Sequence, residues 1–133
     1  MARVLVVDDE TLFIALMRRA LEQREHTVVA ASDAQACRSA LEQEPFDALV
    51  CDIMLPDGSG LHLMRDARRA HPHMGIVAIS GGTSNGRSVH IDVLQIAKTT
   101  CADAAVKKPF ELHNFVTTVE QVVALPQRAT AER

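Results

Sequence analysis

The chain has 133 residues, of which 47% are hydrophobic and 23% charged, and its formal net charge is −3. That describes one folded domain and excludes a disordered chain, a nucleic-acid footprint built on a basic block, and, with no Trp or Tyr, a stacking platform for single strands. No apolar run reaches the length of a membrane span, and MARVLVVDDE places acids directly after four apolar residues, unlike a signal or transit peptide.

Short apolar runs alternate with segments of helical period. Val4–Val7 reads as a buried strand, and Leu12 to Gln23 as a helix with Phe13, Leu16, Met17 and Ala20 on one face. Thr27–Ala31 is a second strand. Ser32, with Gln35 three residues on, predicts a capping box opening a helix that runs to Gln43, before Pro45. Ala48–Cys51 is a third strand, stopped by Asp52, and Pro56-Asp57-Gly58 is a turn signal. Gly60–Ala70 is helical, with Leu61, Met64 and Ala67 aligned. Ile76–Ile79 is a fourth strand, followed by a loop over Gly81–Arg87. Val89 to Thr100 has helical period, with Ile91 and Leu94 lying off its main stripe. Ala104–Val106 is a short fifth strand, and Leu112, Phe115, Val116, Val119, Val122 and Val123 mark a last helix.

Five strands alternating with five helices imply an α/β fold: a doubly wound, five-stranded parallel sheet covered on both faces. Such sheets bind ligands at the carboxyl ends of their strands. Asp8, Asp9 and Glu10 follow strand one, Asp52 follows strand three, Ser80 follows strand four, and Lys107 and Lys108 close strand five. Carboxylates this crowded repel by several kcal/mol at an effective dielectric of about 20, so the cluster calls for a cation. Oxygen donors with open positions suit Mg²⁺. Each residue has a plainer use alone: Asp9 as a helix cap, Asp52 as a turn acid, Ser80 as a loop hydroxyl, Lys108 as a solvated charge. Together, at the ends of four strands, they form a site. Lys107, one residue out of phase with Lys108, faces elsewhere.

The segments VLVVDDE, CDIMLPDGSG, VAISGG and AAVKKPFE, in this order, resemble the receiver domain of two-component response regulators over residues 3–124. The resemblance implies the flavodoxin-like strand order 2-1-3-4-5, a receiver domain over 1–124 and a short tail over 125–133. It implies that Asp52 is the phosphoacceptor and that Asp9 ligates Mg²⁺ directly, with Asp8 assisting through water. It further implies that the Met54 carbonyl is another ligand, that Ser80 and Lys108 contact the phosphoryl group, and that the Lys108–Pro109 bond is cis. An aspartate nucleophile with a divalent cation and a lysine is chemically apt for phosphoryl transfer. Two departures stand out. Ala105 occupies the position where the family usually carries an aromatic switch residue. The stretch from Ser80 to Lys108 is longer than usual by roughly one and a half helical turns.

Other motifs are weaker. Gly81 to Ser88 is a near miss to a P-loop, with Arg87 in place of the lysine. His71-Pro72-His73 has no third ligand near it. Cys37, Cys51 and Cys101 are odd in number and widely spaced, which predicts buried thiols in a reducing cytoplasm rather than a disulfide framework or zinc site. The expectation is a stand-alone, cytoplasmic phosphoacceptor, not an enzyme on external substrates. It takes a phosphoryl group from a histidine kinase or histidine phosphotransfer protein and signals through a downstream protein or by phosphorylation-dependent self-association. An aspartyl-phosphate phosphatase is the alternative enzyme, although Met54 stands where its second aspartate belongs. A receiver-like binding module without phosphorylation is the other alternative. The predicted output route repositions the helix over 89–100 through the Gly81–Arg87 segment.

Overall fold

The structure, a computed structural model, describes residues 1–81, 83–84, 87–88 and 101–125. Five parallel strands form the central sheet: β1 (Arg3–Val7), β2 (Thr27–Ala31), β3 (Ala48–Asp52), β4 (Gly75–Gly81) and β5 (Ala104–Lys108). Their spatial order is β2-β1-β3-β4-β5, the order expected. Four helices are described: α1 (Thr11–Glu22), α2 (Ala34–Gln43), α3 (Gly60–Ala70) and α4 (Leu112–Val123). The helix expected over 89–100, with Ile91 and Leu94, lies outside the described residues.

Strand periodicity divides the core in two. Leu5, Val7, Leu49, Cys51, Ile76 and Ala78 pack with Cys37 and Leu41 of α2 and Leu63, Met64 and Ala67 of α3. Their neighbours Val4, Val6, Ala48, Val50, Val77 and Ile79 pack on the other face with Met17 and Leu21 of α1 and Phe115, Val119 and Val122 of α4. Both-face burial is why the strands read as unbroken apolar runs. The same alternation sends Asp8, Asp52 and Lys108 toward the α1 side of the sheet. It leaves Lys107 exposed, as expected.

Several local expectations are corrected. The residue capping α2 is Asp33, not Ser32. The Asp33 carboxylate accepts from the Ala36 N–H at 2.8 Å, so the Ser32–Gln35 capping box does not form. Asp57, expected only as a turn residue, accepts the Ala34 and Gln35 N–H groups at 2.9 and 3.1 Å. These bonds at the orphan donors of a helix start, that from Ala34 first, hold its carboxyl below the usual range. Asp9 does not cap α1; Glu10 occupies that position, with no side-chain bond to the helix. Leu16 is turned out of the core at 36% exposure, because Met17, Ala20 and Leu21 supply the buried face. Asp52 and Lys108 are the last residues of their strands, and Ser80 the last but one of its strand, rather than lying beyond them.

The P-loop near-match has the wrong backbone. Thr83–Ser84 pairs antiparallel with Arg87–Ser88, so the last two residues of the motif lie in a short ladder rather than in the first turn of a helix. Cys37 and Cys51 are buried, and burial pushes the Cys37 thiol up to about 12. Cys101 is exposed, which corrects the expectation of three buried thiols. No helix among the described residues is long and apolar enough to cross a membrane.

Candidate functional site

Asp8 directly follows β1, and its Oδ1 accepts the Glu10 N–H at 2.9 Å, which folds the chain over the end of the sheet and into α1. Asp52 ends β3, and its Oδ1 accepts the Met54 N–H at 2.9 Å. Met54 and Leu55 then pair antiparallel with Ser59 and Gly58, and this hairpin returns the chain to Gly60 at the start of α3. A β-carbon on Gly60 would lie 2.0 Å from the Asp52 carbonyl oxygen and 2.8 Å from the Ile53 Cα. Only glycine permits that approach, so Gly60 packs directly against the Asp52 carbonyl.

One oxygen from each of Asp8, Asp9, Glu10 and Asp52 falls within 4.8 Å of the others. Among them stands the Lys108 ammonium, 2.8 Å from Asp8 Oδ2, 2.6 Å from Glu10 Oε1 and 3.1 Å from Asp52 Oδ2. The Phe13 ring of α1 lies against this ammonium, 4.4 Å from ring centre to Nζ. Phe13 in turn contacts Phe110, which stacks on Phe115. The Lys108–Pro109 peptide bond is cis, as the resemblance implied.

Burial makes these charges unusual. Asp8 is 0% exposed, Lys108 4% and Asp52 5%. Burial pushes the Asp52 carboxyl up to about 6, against the Met54 N–H and the Lys108 charge that favour its ionised form; the Asp8 charge adds to the rise. Burial opposes the Lys108 ammonium as well, but hydrogen bonds to Asp8 and Glu10 and the Asp52 and Asp8 charges outweigh it and hold Lys108 above its ordinary value. Three carboxylates thus share one ammonium, with Asp9 a fourth acid of the cluster that does not touch it. The donors are all oxygen and only partly neutralised, and this set fits a hard divalent cation such as Mg²⁺.

The expected residues are brought together with one qualification. Asp8, Asp9, Asp52 and Lys108 form a single cluster. Met54 meets it through its backbone N–H, while its side chain is exposed. Ser80 lies on β4, one residue past the partner of Asp52, and hydrogen-bonds to none of the cluster; its Oγ is buried without a partner. Such a hydroxyl is costly unless a ligand satisfies it. Sequence reasoning assigned no role to Glu10 or to Phe13 beyond a helix face. The signal for Glu10 was present in the motif, since Glu is a poor N-cap and its carboxylate is free to reach elsewhere.

The response regulator receiver domain family matches residues 4–120 of the chain. The response regulator receiver protein CpdR of Brucella abortus is 27% identical over 92% of this chain and 98% of its own. The transcriptional regulatory protein TorR of Escherichia coli O157:H7 is 31% identical over 90% of this chain, which spans only 49% of that protein. A segment of the sensor kinase CckA of Brucella abortus is 29% identical; it is 12% of that kinase and 92% of this chain. Among solved structures, a CheY-like receiver domain protein from Methanospirillum hungatei JF-1 superposes with a TM-score of 0.81 at 24% identity, covering 98% of both chains. Phosphorylation on aspartate is typical of these two-component proteins, and receiver domains in general bind Mg²⁺ and act as signalling modules. With the family pattern matched from β1 through most of α4 and the acid cluster at the end of its sheet, this chain belongs to the response regulator receiver domain family.

Proposed function

We propose that Asp52 accepts a phosphoryl group, in a Mg²⁺-dependent reaction, from the phosphohistidine of a histidine kinase or phosphotransfer protein, and that the phosphorylated chain signals through a partner protein. The observation that carries this reading is the burial of one carboxylate, at the carboxyl end of the central strand, between a lysine ammonium and an acid cluster.

An ionised Asp52 oxygen attacks phosphorus, the phosphorus–nitrogen bond of the donor breaks, and the imidazole leaves with the bonding pair. The Met54 N–H fixes the Asp52 carboxylate by holding Oδ1. Lys108 meets the charge of the transferring oxygens, and the Ser80 hydroxyl donates to one of them, which gives that buried group its partner. Asp9 and Asp52, with the Met54 carbonyl, would hold the cation, and Asp8 would support it. When bound, Mg²⁺ neutralises charge on the phosphoryl oxygens. The chain thus catalyses only its own phosphorylation and dephosphorylation.

The test is intact mass after treatment with a small acyl phosphate, with and without Mg²⁺. Wild type is expected to gain one phosphoryl group only with Mg²⁺, and Asp52→Asn none. Equal labelling of both proteins would remove Asp52 from this role.

A further inference from the structure

The two groups assigned to the phosphoryl oxygens are in opposite states. The Ser80 hydroxyl has no partner, whereas the Lys108 ammonium has three carboxylates. The shortest of those contacts, 2.6 Å, goes to Glu10, and the longest, 3.1 Å, to Asp52. Two of the ammonium's neighbours come from the start of α1. Glu10 is the N-cap residue, its N–H is fixed on Asp8 and its carbonyl accepts the first helical bond from Ile14. Its carboxylate caps nothing and spans 98 positions of sequence to reach Lys108. One turn later, on the same side of the helix, Phe13 places its ring against the ammonium. The first turn of α1 therefore holds the Lys108 head group toward Asp8 and Glu10.

We propose that Glu10 is a positioning residue that parks the Lys108 ammonium and competes with an incoming phosphoryl group for it. The inference rests on the reading of Asp52 as phosphoacceptor. Its consequence is specific in sign. If Glu10 served chiefly to hold the cation, neutralising it would weaken both Mg²⁺ and phosphate-mimic binding. If Glu10 competes for Lys108, neutralising it frees the ammonium and strengthens binding of the mimic once Mg²⁺ is saturating. The Glu10 side chain is 49% exposed, so the competition is tempered by solvent.

The test is titration calorimetry with beryllofluoride at saturating Mg²⁺, on the whole chain, with Mg²⁺ affinity measured separately. Glu10→Gln is expected to bind beryllofluoride about fivefold more tightly than wild type. Glu10→Asp, which keeps the charge, is expected to fall back toward wild type. In a Lys108→Met background, shown to be folded by circular dichroism, Glu10→Gln is expected to change nothing. Unchanged or weaker binding by Glu10→Gln overturns the proposal, as does an effect of equal size without Lys108. If Lys108→Met is unfolded, the sign of the Glu10→Gln effect and its reversal in Glu10→Asp decide. A wild type that binds no beryllofluoride overturns the phosphoacceptor reading and this inference with it, whereas a wild type that binds with Glu10→Gln unchanged overturns this inference alone.

Discussion

The two ends of the sheet use charged residues in opposite ways. At the amino ends of the strands the carboxylates of Asp103, Asp47 and Glu44 are satisfied. Asp103 takes the Ile76 N–H at 2.8 Å and the Arg68 guanidinium at 2.7 Å, while Arg68 also donates to the Pro72, Met74 and Cys101 carbonyls. Asp47 takes the Arg3 N–H at 2.8 Å, and the Arg3 guanidinium pairs with Glu44. At the carboxyl ends, four carboxyl groups cluster, three of them on the same ammonium, and a buried hydroxyl has no partner. The first arrangement ties segments together. The second leaves charge uncompensated, and that deficit is what a cation and a phosphoryl group can relieve.

The comparison breaks most severely where backbone supports the carboxyl rim. Gly60→Ala drives a β-carbon into the Asp52 carbonyl and is expected to cost about 3 kcal/mol in a urea melt. A next effect of about 2 kcal/mol is expected at the amino rim, where Asp103→Ala removes the carboxylate opposite the Arg68 charge and leaves the Ile76 N–H without its acceptor, also read by urea melt. The opposite sign is expected at the carboxyl rim. Asp9→Ala relieves like-charge crowding, so its melting temperature should equal or exceed that of wild type while calorimetry shows most Mg²⁺ affinity gone. Loss of stability in Asp9→Ala would end the contrast.

The smallest effect lies where α4 meets the loop after α1. Glu120 accepts from Arg24 at 3.0 and 3.1 Å and contacts His26 Nε2 at 2.8 Å. Hydrogen bonds from Arg24, then His26, lower its carboxyl from 4.5 to about 2. A depressed carboxyl stabilises the folded state fully above its unfolded value and loses that contribution as pH falls toward 2. Glu120→Gln should therefore lower Tm by roughly 2 °C at neutral pH, as for a surface ion pair. The difference should vanish in melts near pH 2.

The strands and the acid cluster were legible in the sequence because their signals are local. Val4–Val7 and Ala48–Cys51 are unbroken apolar runs, and Asp8, Asp9 and Asp52 follow them within one or two residues. What escaped depends on partners distant in sequence. Asp57 holds the Ala34 and Gln35 N–H groups of a helix that begins 23 residues earlier, a support added to the Asp33 cap that no local pattern shows. Glu10 reaches Lys108 only because β1 and β5 end on one rim. The need for Gly60 is set by the Asp52 carbonyl beneath it, which no pattern of neighbouring residues reveals.

The most direct measurement traps the acyl phosphate itself. After treatment with a phosphodonor and Mg²⁺, borohydride reduces a phosphorylated aspartate to homoserine, and peptide mass mapping then locates it. Homoserine is expected at position 52 alone, and only when Mg²⁺ was present. Homoserine at Asp8 or Asp9, or a phosphorylated chain with Asp52 intact, would contradict that expectation.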